Sequence, residues 1–332
     1  MDVLILIISL IVILAGSELF TNALEHLGER FGLSTGVTGS ILAAVGTAMP
    51  ETVVPIVAIA TGGGKTGHEI GIGAILGAPL LLSTLAFFLI GLMALARRGS
   101  HGEITPEPTG HARDLVFFLA AFVLAIGALY VPGYWPRVPI AAVLVILYVV
   151  YLVRTIGASR AMVAAGHGTE AADRLYAGRL RLPANRFIIL LQLLVALVLI
   201  IGGARAFVIG VTNISVAIGM SPLFLSLAIV PFATEMPEKL NSLIWIYRKK
   251  DTLAVGNVSG AMVFQASLLP AIGILGTPWR SSFDVDLAMG ITLAAGVWLF
   301  LLSRLKRMPA FALMLNGCAY AIYFILLFVF GR

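Results

Sequence analysis

Apolar residues run along this chain in stretches of about twenty, separated by short polar links, which is the spacing a bilayer imposes on helices that cross it. Ten such spans are predicted, near residues 3–24, 34–60, 69–95, 113–132, 136–154, 187–208, 219–247, 253–277, 286–303 and 309–330. The second, third, seventh and eighth contain Gly, Pro or charged residues, and are long enough to tilt or break. The longest polar link, 155–186, includes "GASRAMVAAGHGTEAADRLYAGRLRLPANR", which suits a short amphipathic helix on the membrane surface. It divides the chain into residues 1–154, a linker at 155–186, and residues 187–332, each flank holding five spans. The opening "MDVLILIISLIVILAGSELF" has no basic leader and is followed by further spans, so it is predicted to be a first transmembrane helix rather than a signal peptide.

Composition sharpens the class. Of 332 residues, 60% are hydrophobic and only 11% charged, whereas soluble domains are nearer one-quarter charged. The net charge of +6 does not point to nucleic acid, because the basic residues lie between apolar runs. They concentrate in the loops after the odd spans, while Lys65, Arg137, Arg205, Arg280 and Arg332 fall on the other side. This asymmetry predicts odd loops in the cytoplasm, including the 155–186 linker, and both termini outside. The single Cys318 leaves no disulfide framework and no cysteine-rich metal site.

The two flanks repeat one another. "GSELFTNALEHLGERFGLSTGVTGSILAAVGTAMPE" from Gly16 aligns without a gap on "GARAFVIGVTNISVAIGMSPLFLSLAIVPFATEMPE" from Gly203, at a constant offset of 187. Gly16 meets Gly203, Thr47 meets Thr234, and Met49-Pro50-Glu51 meets Met236-Pro237-Glu238. Beyond a shorter loop the match resumes, with Gly73 facing Gly256. Five spans per copy is an odd number, so the second copy enters the membrane inverted. Inverted repeats are a hallmark of secondary transporters with a substrate site near the midplane. The predicted fold class is therefore an all-α polytopic membrane protein of ten helices in two inverted five-helix repeats.

The repeated motif carries the chemistry. A proline removes an amide donor and frees the carbonyl one turn back, near Gly46 and Ala233 here. Such a carbonyl, beside a carboxylate and a Thr hydroxyl, offers hard oxygen ligands for Na⁺ or Ca²⁺. Pro50 and Pro237 are thus expected to break their helices and shape the site. A carboxylate at mid-membrane costs about 2.5–3.5 kcal/mol even on insertion scales, which makes Glu51 and Glu238 the strongest ion-binding candidates. Thr47 and Thr234 lie one turn before them, where a Thr either faces the ion or bonds its own helix. The copies differ at two places: Glu235 stands where the first has Ala48, and Lys239 where it has Thr52. Glu235 is four residues before Lys239, the helical spacing of an ion pair, so Lys239 is expected to serve as a built-in cation. A Lys at that position instead snorkels to an interface if it has no such role.

At these residues the chain resembles the calcium/cation antiporter superfamily, the sodium/calcium exchanger group, over nearly its whole length. The resemblance rests on the two Thr-x-Met-Pro-Glu segments, on "ELFTNALEHLGERFGLS" and on "AVGNVSGAMVF". It implies ten spans in two inverted halves, with Glu51 and Glu238 as central ion-binding glutamates and Thr47 and Thr234 as accompanying ligands. Asn257 falls in the family's second motif, and Gln265 at its following polar position. The chain departs from the pattern at Ala48 and Glu235, where the family has Ser. Gly77-Ala78-Pro79 and Gly260-Ala261-Met262 replace Gly-Ser-Asn, and Leu82 replaces the later polar residue of the first half. Ca²⁺ takes six to eight oxygens, so the lost ligands count against the family's usual multi-site stoichiometry.

Two functions from different classes follow. One is a secondary active cation antiporter, exchanging Ca²⁺ against Na⁺ or H⁺ by alternating access. The other is a transport-silent scaffold or sensor built on the same fold. An intramembrane enzyme is not expected, since no His or Cys falls near the central glutamates. No phosphate-binding loop, nucleic-acid motif or haem signature is present, so no resident cofactor is expected, and the cation is cargo. The partners implied are inorganic cations and the lipid bilayer, in a prokaryotic inner membrane; the sequence names no protein partner.

Overall fold

The computed structural model describes residues 2–30, 48–164, 175–181, 183, 185–305 and 307–330. The described chain is helical apart from one two-stranded ribbon. In chain order the helices are α1 (Asp2–Arg30), α2 (Met49–Thr61), α3 (Lys65–Leu81), α4 (Phe87–Arg98), α5 (Pro108–Tyr130), α6 (Val138–Ala164), α7 (Arg186–Ile218), α8 (Pro222–Tyr247), α9 (Asp251–Gly276), α10 (Phe283–Ser303) and α11 (Met314–Phe330). A π-helical turn, Leu82–Ala86, joins α3 to α4 without a loop. The strands β1 (Glu103–Ile104) and β2 (Met308–Pro309) pair antiparallel, Glu103 opposite Pro309.

Among the described residues, eight helical segments are long and apolar enough to cross a membrane. They coincide with all the predicted spans except the second and the seventh. Of the second, residues 34–47 lie outside the described residues and the rest forms α2; the seventh is represented by α8, whose apolar portion is Pro222–Met236. Side chains such as Val153, Val198 and Leu194 are left largely exposed, as lipid-facing positions are. The chain is an integral membrane protein. Two boundaries differ from the sequence reading. Helix α6 continues to Ala164, past the expected end at 154, and the described part of the linker contains a 3₁₀ turn at Tyr176–Leu180.

Local sequence explains where the helices start and stop. Ser221 caps α8 by accepting from the Phe224 amide, with Pro222 in the first turn where its missing N–H is no loss. Asn185 and Ser282 cap α7 and α10 in the same way. Helix α7 ends at Gly219, whose φ of 69° is the left-handed conformation that closes a helix.

The described residues form two compact units, each drawing on both halves of the sequence. The first comprises Met1–Gly67 with Leu152–Gly219. In it α1 lies along α7 and α2 packs on α7, around Phe20, Ala196 and Ile200. A Cβ placed on Gly16 would sit 2.9 Å from Ile200 Cγ1 and 3.2 Å from the Ala196 carbonyl oxygen. A Cβ on Gly203 would sit 2.8 Å from Ile13 Cγ1 and 3.1 Å from the Ser9 carbonyl oxygen. Only glycine permits either approach. At one end of this pair Gln192 donates to the Leu19 carbonyl and to Asn22.

The second unit comprises His68–Tyr151 with Met220–Arg332. Its centre is α9 against α5 and α8, flanked by α10 and α11. Trp279 is buried, donates its indole N–H to the Ala125 carbonyl at 3.1 Å, and closes on Gly273. The π turn brings the Ser83 carbonyl to Asn316 Nδ2 at 2.7 Å.

Candidate functional site

The first Pro-Glu motif opens a helix. Helix α2 begins at Met49, so Pro50 occupies its first turn, where no amide is needed. Glu51, in the same turn, is only 5% exposed and sits at the positive end of the helix dipole. Thr52 donates its hydroxyl back to the Ala48 carbonyl at 2.6 Å. Thr47 and Gly46 lie outside the described residues.

The second motif behaves differently. The expected break at Pro237 does not occur: α8 runs unbroken from Pro222 to Tyr247. Proline still denies the Ala233 carbonyl its ordinary amide donor. Opening the helix further would strip more backbone groups of their bonds in surroundings without water, which is the physical reason it stays closed. The side chains of Pro237 and Glu238 lie outside the described residues. Thr234 is buried and donates its hydroxyl to the Val230 carbonyl at 3.0 Å, so its proton serves its own helix.

Around this helix three predicted residues come together. Lys239 Nζ lies 3.5 Å from Glu235 Oε2, one helical turn apart. Gln265, from α9, donates its Nε2 to Glu235 Oε1. Glu235 is 1% exposed, Lys239 2% and Gln265 2%. Both oxygens of the Glu235 carboxylate are thereby engaged, one by a cation and one by an amide. The carbonyl Oε1 of Gln265 accepts no hydrogen bond among the described residues. Asn257, also predicted from α9, instead donates to Ser242 at 2.9 Å, a tie between α9 and α8. Glu51 belongs to the first unit, and the Glu235 group to the second. Among the described residues no group of three or more His, Cys, Asp or Glu gathers to hold a metal.

Two further polar arrangements lie outside the motifs that the sequence marks. Asp114, buried on α5, accepts from Ser259 Oγ at 2.7 Å and from Tyr151 OH at 3.1 Å, tying α5 to α9 and α6. One turn earlier His111 is 3% exposed, and neither ring nitrogen has a hydrogen-bond partner among the described residues. The signal for Asp114 was present, since an acid inside an apolar span is a polar site by default. Arg98 at the end of α4 holds Asp251 at the start of α9 through both oxygens, at 2.8 and 2.5 Å. Arg98 also reaches the Ile246 carbonyl, and the Thr105 amide donates to Asp251 at 2.9 Å. Partners from three separate segments made this second cluster unreadable from spacing.

Known proteins resemble this chain in sequence and in fold. Residues 1–157 and 188–330 match the sodium/calcium exchanger protein family. The inner membrane protein YrbG of Escherichia coli (strain K12) is 24% identical over 306 residues, covering 88% of this chain and 87% of its own. A putative antiporter, CaxA of Alkalimonas amylolytica, is 24% identical over 334 residues, covering 96% and 95%. In fold the chain is similar to the crystal structure of the H⁺/Ca²⁺ exchanger CAX, with a TM-score of 0.72 at 18% identity, covering 99% of this chain and 88% of that one. It is also similar to the sodium-calcium exchanger NCX_Mj, with a TM-score of 0.58 at 21% identity, covering 98% and 97%.

Proposed function

The chain belongs to the sodium/calcium exchanger protein family, a family of transporters and not of enzymes, and from that premise we propose that it is a secondary active cation antiporter, carrying Ca²⁺ against Na⁺ or H⁺. The observation that carries this reading is the burial of Glu51, 5% exposed in the first turn of an apolar helix at the first Pro-Glu motif. A carboxylate is kept in such a place when a cation or a proton meets it there. The names of the relatives agree: one is a putative antiporter, and the similar folds are an H⁺/Ca²⁺ exchanger and a sodium-calcium exchanger.

In the finer reading, Glu51 and Glu238 are the central ion ligands, assisted by Thr47, Thr234, Glu235 and Gln265. Pro50, Pro237, Lys239 and Asn257 shape and tune the site. The ion reaches each side in turn as the protein alternates between two open states. Residues 1–154 and 187–332 form inverted repeats of five helices each, joined by a cytoplasmic linker at 155–186. The reciprocal packing of Gly16 and Gly203 supports that symmetry. Both termini lie outside a prokaryotic inner membrane; the charge asymmetry of the loops supports the orientation, and the relative named an inner membrane protein supports the location.

The test is reconstitution of purified protein in sealed vesicles, with Ca²⁺ uptake followed under an imposed Na⁺ or H⁺ gradient. Wild type is expected to take up Ca²⁺ under one of them, and Glu51→Gln and Glu238→Gln to lose uptake while remaining folded. Uptake unchanged in both variants would overturn the site. Absence of uptake in wild type, with Ca²⁺, K⁺, Mg²⁺ and Mn²⁺ each tried, would favour a transport-silent scaffold.

A further inference from the structure

We infer that the ammonium of Lys239 is a tethered cation that holds the carboxylate of Glu235 in place of a mobile monovalent cation. The arrangement gives the second Pro-Glu motif a cation position filled by the protein's own ammonium. Its consequence for transport, one mobile cation fewer in each cycle, rests on the antiport reading above; its consequence for binding does not.

Relative to the first motif, the second gains an acid at Glu235, opposite Ala48, and a base at Lys239, opposite Thr52. The acid and the base appear together in one copy and are absent together from the other. Counting ionised side chains, Glu51 gives the first motif one negative charge, and Glu235, Glu238 and Lys239 give the second the same net charge. The added pair leaves the net charge of the motif unchanged.

Local structure then fixes the pair. A Glu four residues before a Lys on a helix points at it, and here Nζ stands 3.5 Å from Oε2. Gln265 holds the other oxygen from a neighbouring helix. With all three side chains at 1–2% exposure, water does not compete. A pair in such surroundings is poorly explained by stability, because apolar residues of similar volume usually serve a buried position as well or better. It is well explained by charge occupancy: an ammonium is a compact point charge on a flexible stem, and it fills the place a monovalent ion would take.

The test measures Na⁺ binding directly, with no gradient and no transport. Full-length wild type, Lys239→Met and the double variant Glu235→Gln/Lys239→Met are purified in detergent at alkaline pH. Thermal unfolding is followed while Na⁺ replaces a bulky organic cation at constant ionic strength. A ligand that binds only the folded state raises the melting temperature. Lys239→Met is expected to gain a saturable rise of a few degrees with Na⁺ beyond any rise in wild type, and the double variant to lack that gain. A response in Lys239→Met no larger than in wild type, or equally large in the double variant, would overturn the inference. If Lys239→Met does not survive purification in the organic cation, it is purified in Na⁺ throughout. Recovery there supports the inference, and collapse in both cations shows a purely structural pair and overturns it. The wild-type flux assay judges the antiport reading separately.

Discussion

Gly16 on α1 and Gly203 on α7 make the same contact in opposite directions. Gly16 is pressed against Ile200 and the Ala196 carbonyl, and Gly203 against Ile13 and the Ser9 carbonyl. All three pairings, Gly16 with Gly203, Ile13 with Ile200 and Ser9 with Ala196, are separated by the offset of 187 that relates the two halves of the sequence. The contact therefore maps onto itself when the halves are exchanged, as a two-fold interface between copies does. Small residues at such crossings let helix backbones approach in surroundings where lipid supplies no hydrophobic drive.

This contact predicts symmetric damage. Gly16→Ala and Gly203→Ala each force a Cβ to within about 3 Å of a neighbouring side chain, and each is expected to destabilise by about 1–3 kcal/mol, the usual effect of overpacking. Gly202, beside Gly203 with open space around it, is the control. Thermal unfolding in detergent checks this, and an unchanged melting temperature for both variants would contradict the packing.

Asp114 binds three helices through two hydroxyls. Asp114→Ala removes the acceptor that Ser259 and Tyr151 share, and a loss of about 1–3 kcal/mol is expected for the stranded Ser259 hydroxyl. A double-mutant cycle of Asp114→Ala with Ser259→Ala isolates the contact, with a coupling of about 0.5–3 kcal/mol. Additive effects would show that the 2.7 Å hydrogen bond contributes nothing.

Arg98 and Asp251 form the other tie. Arg98→Gln leaves Asp251, 6% exposed, without its cation. The expected loss lies toward the lower end of the about 3–5 kcal/mol typical of a broken buried pair, because the arginine retains 15% exposure. Protease susceptibility of the 99–107 connection should rise in the same variant, since Arg98 also donates to the Glu103 carbonyl and Asp251 accepts from Thr105. Protection equal to wild type would argue against the tie.

Glu107 predicts a pH dependence. It caps α5, accepting from the amides of Thr109 and Gly110. Partial burial pushes its carboxyl up, but the Thr109 hydroxyl, the amides of Gly110 and Thr109, and the charge of Arg113 together outweigh that and hold it below its usual range. A carboxyl lowered in the folded state contributes stability above its unfolded value of about 4.3, and loses it as pH falls through the lower folded value. Glu107→Ala is expected to cost about 0.5–2 kcal/mol near neutrality, the range for a lost helix cap. Melting temperatures of wild type and variant should converge as the medium is acidified below that range. A gap that persists in acid would show that the cap does not act through its charge.

Much of this protein follows from its one-dimensional pattern. A bilayer accepts only segments that satisfy their own backbone groups, so about twenty apolar residues specify a spanning helix with little help from context. Pairs within one helix are equally legible: four residues of separation placed Lys239 against Glu235 before any packing was known. Contacts between helices were not legible, because periodicity fixes which face a residue occupies and not which residue of another helix meets it. Gln265 reaches Glu235 across 30 positions, Ser259 reaches Asp114 across 145, and Asp251 reaches Arg98 across 153. The unbroken course of α8 through Pro237 belongs to the same class. Proline removes one hydrogen bond whatever surrounds it, but whether the helix opens depends on what the surroundings offer the freed groups. A bilayer offers such groups no water, so the hydrogen bonds that remain along α8 keep it closed.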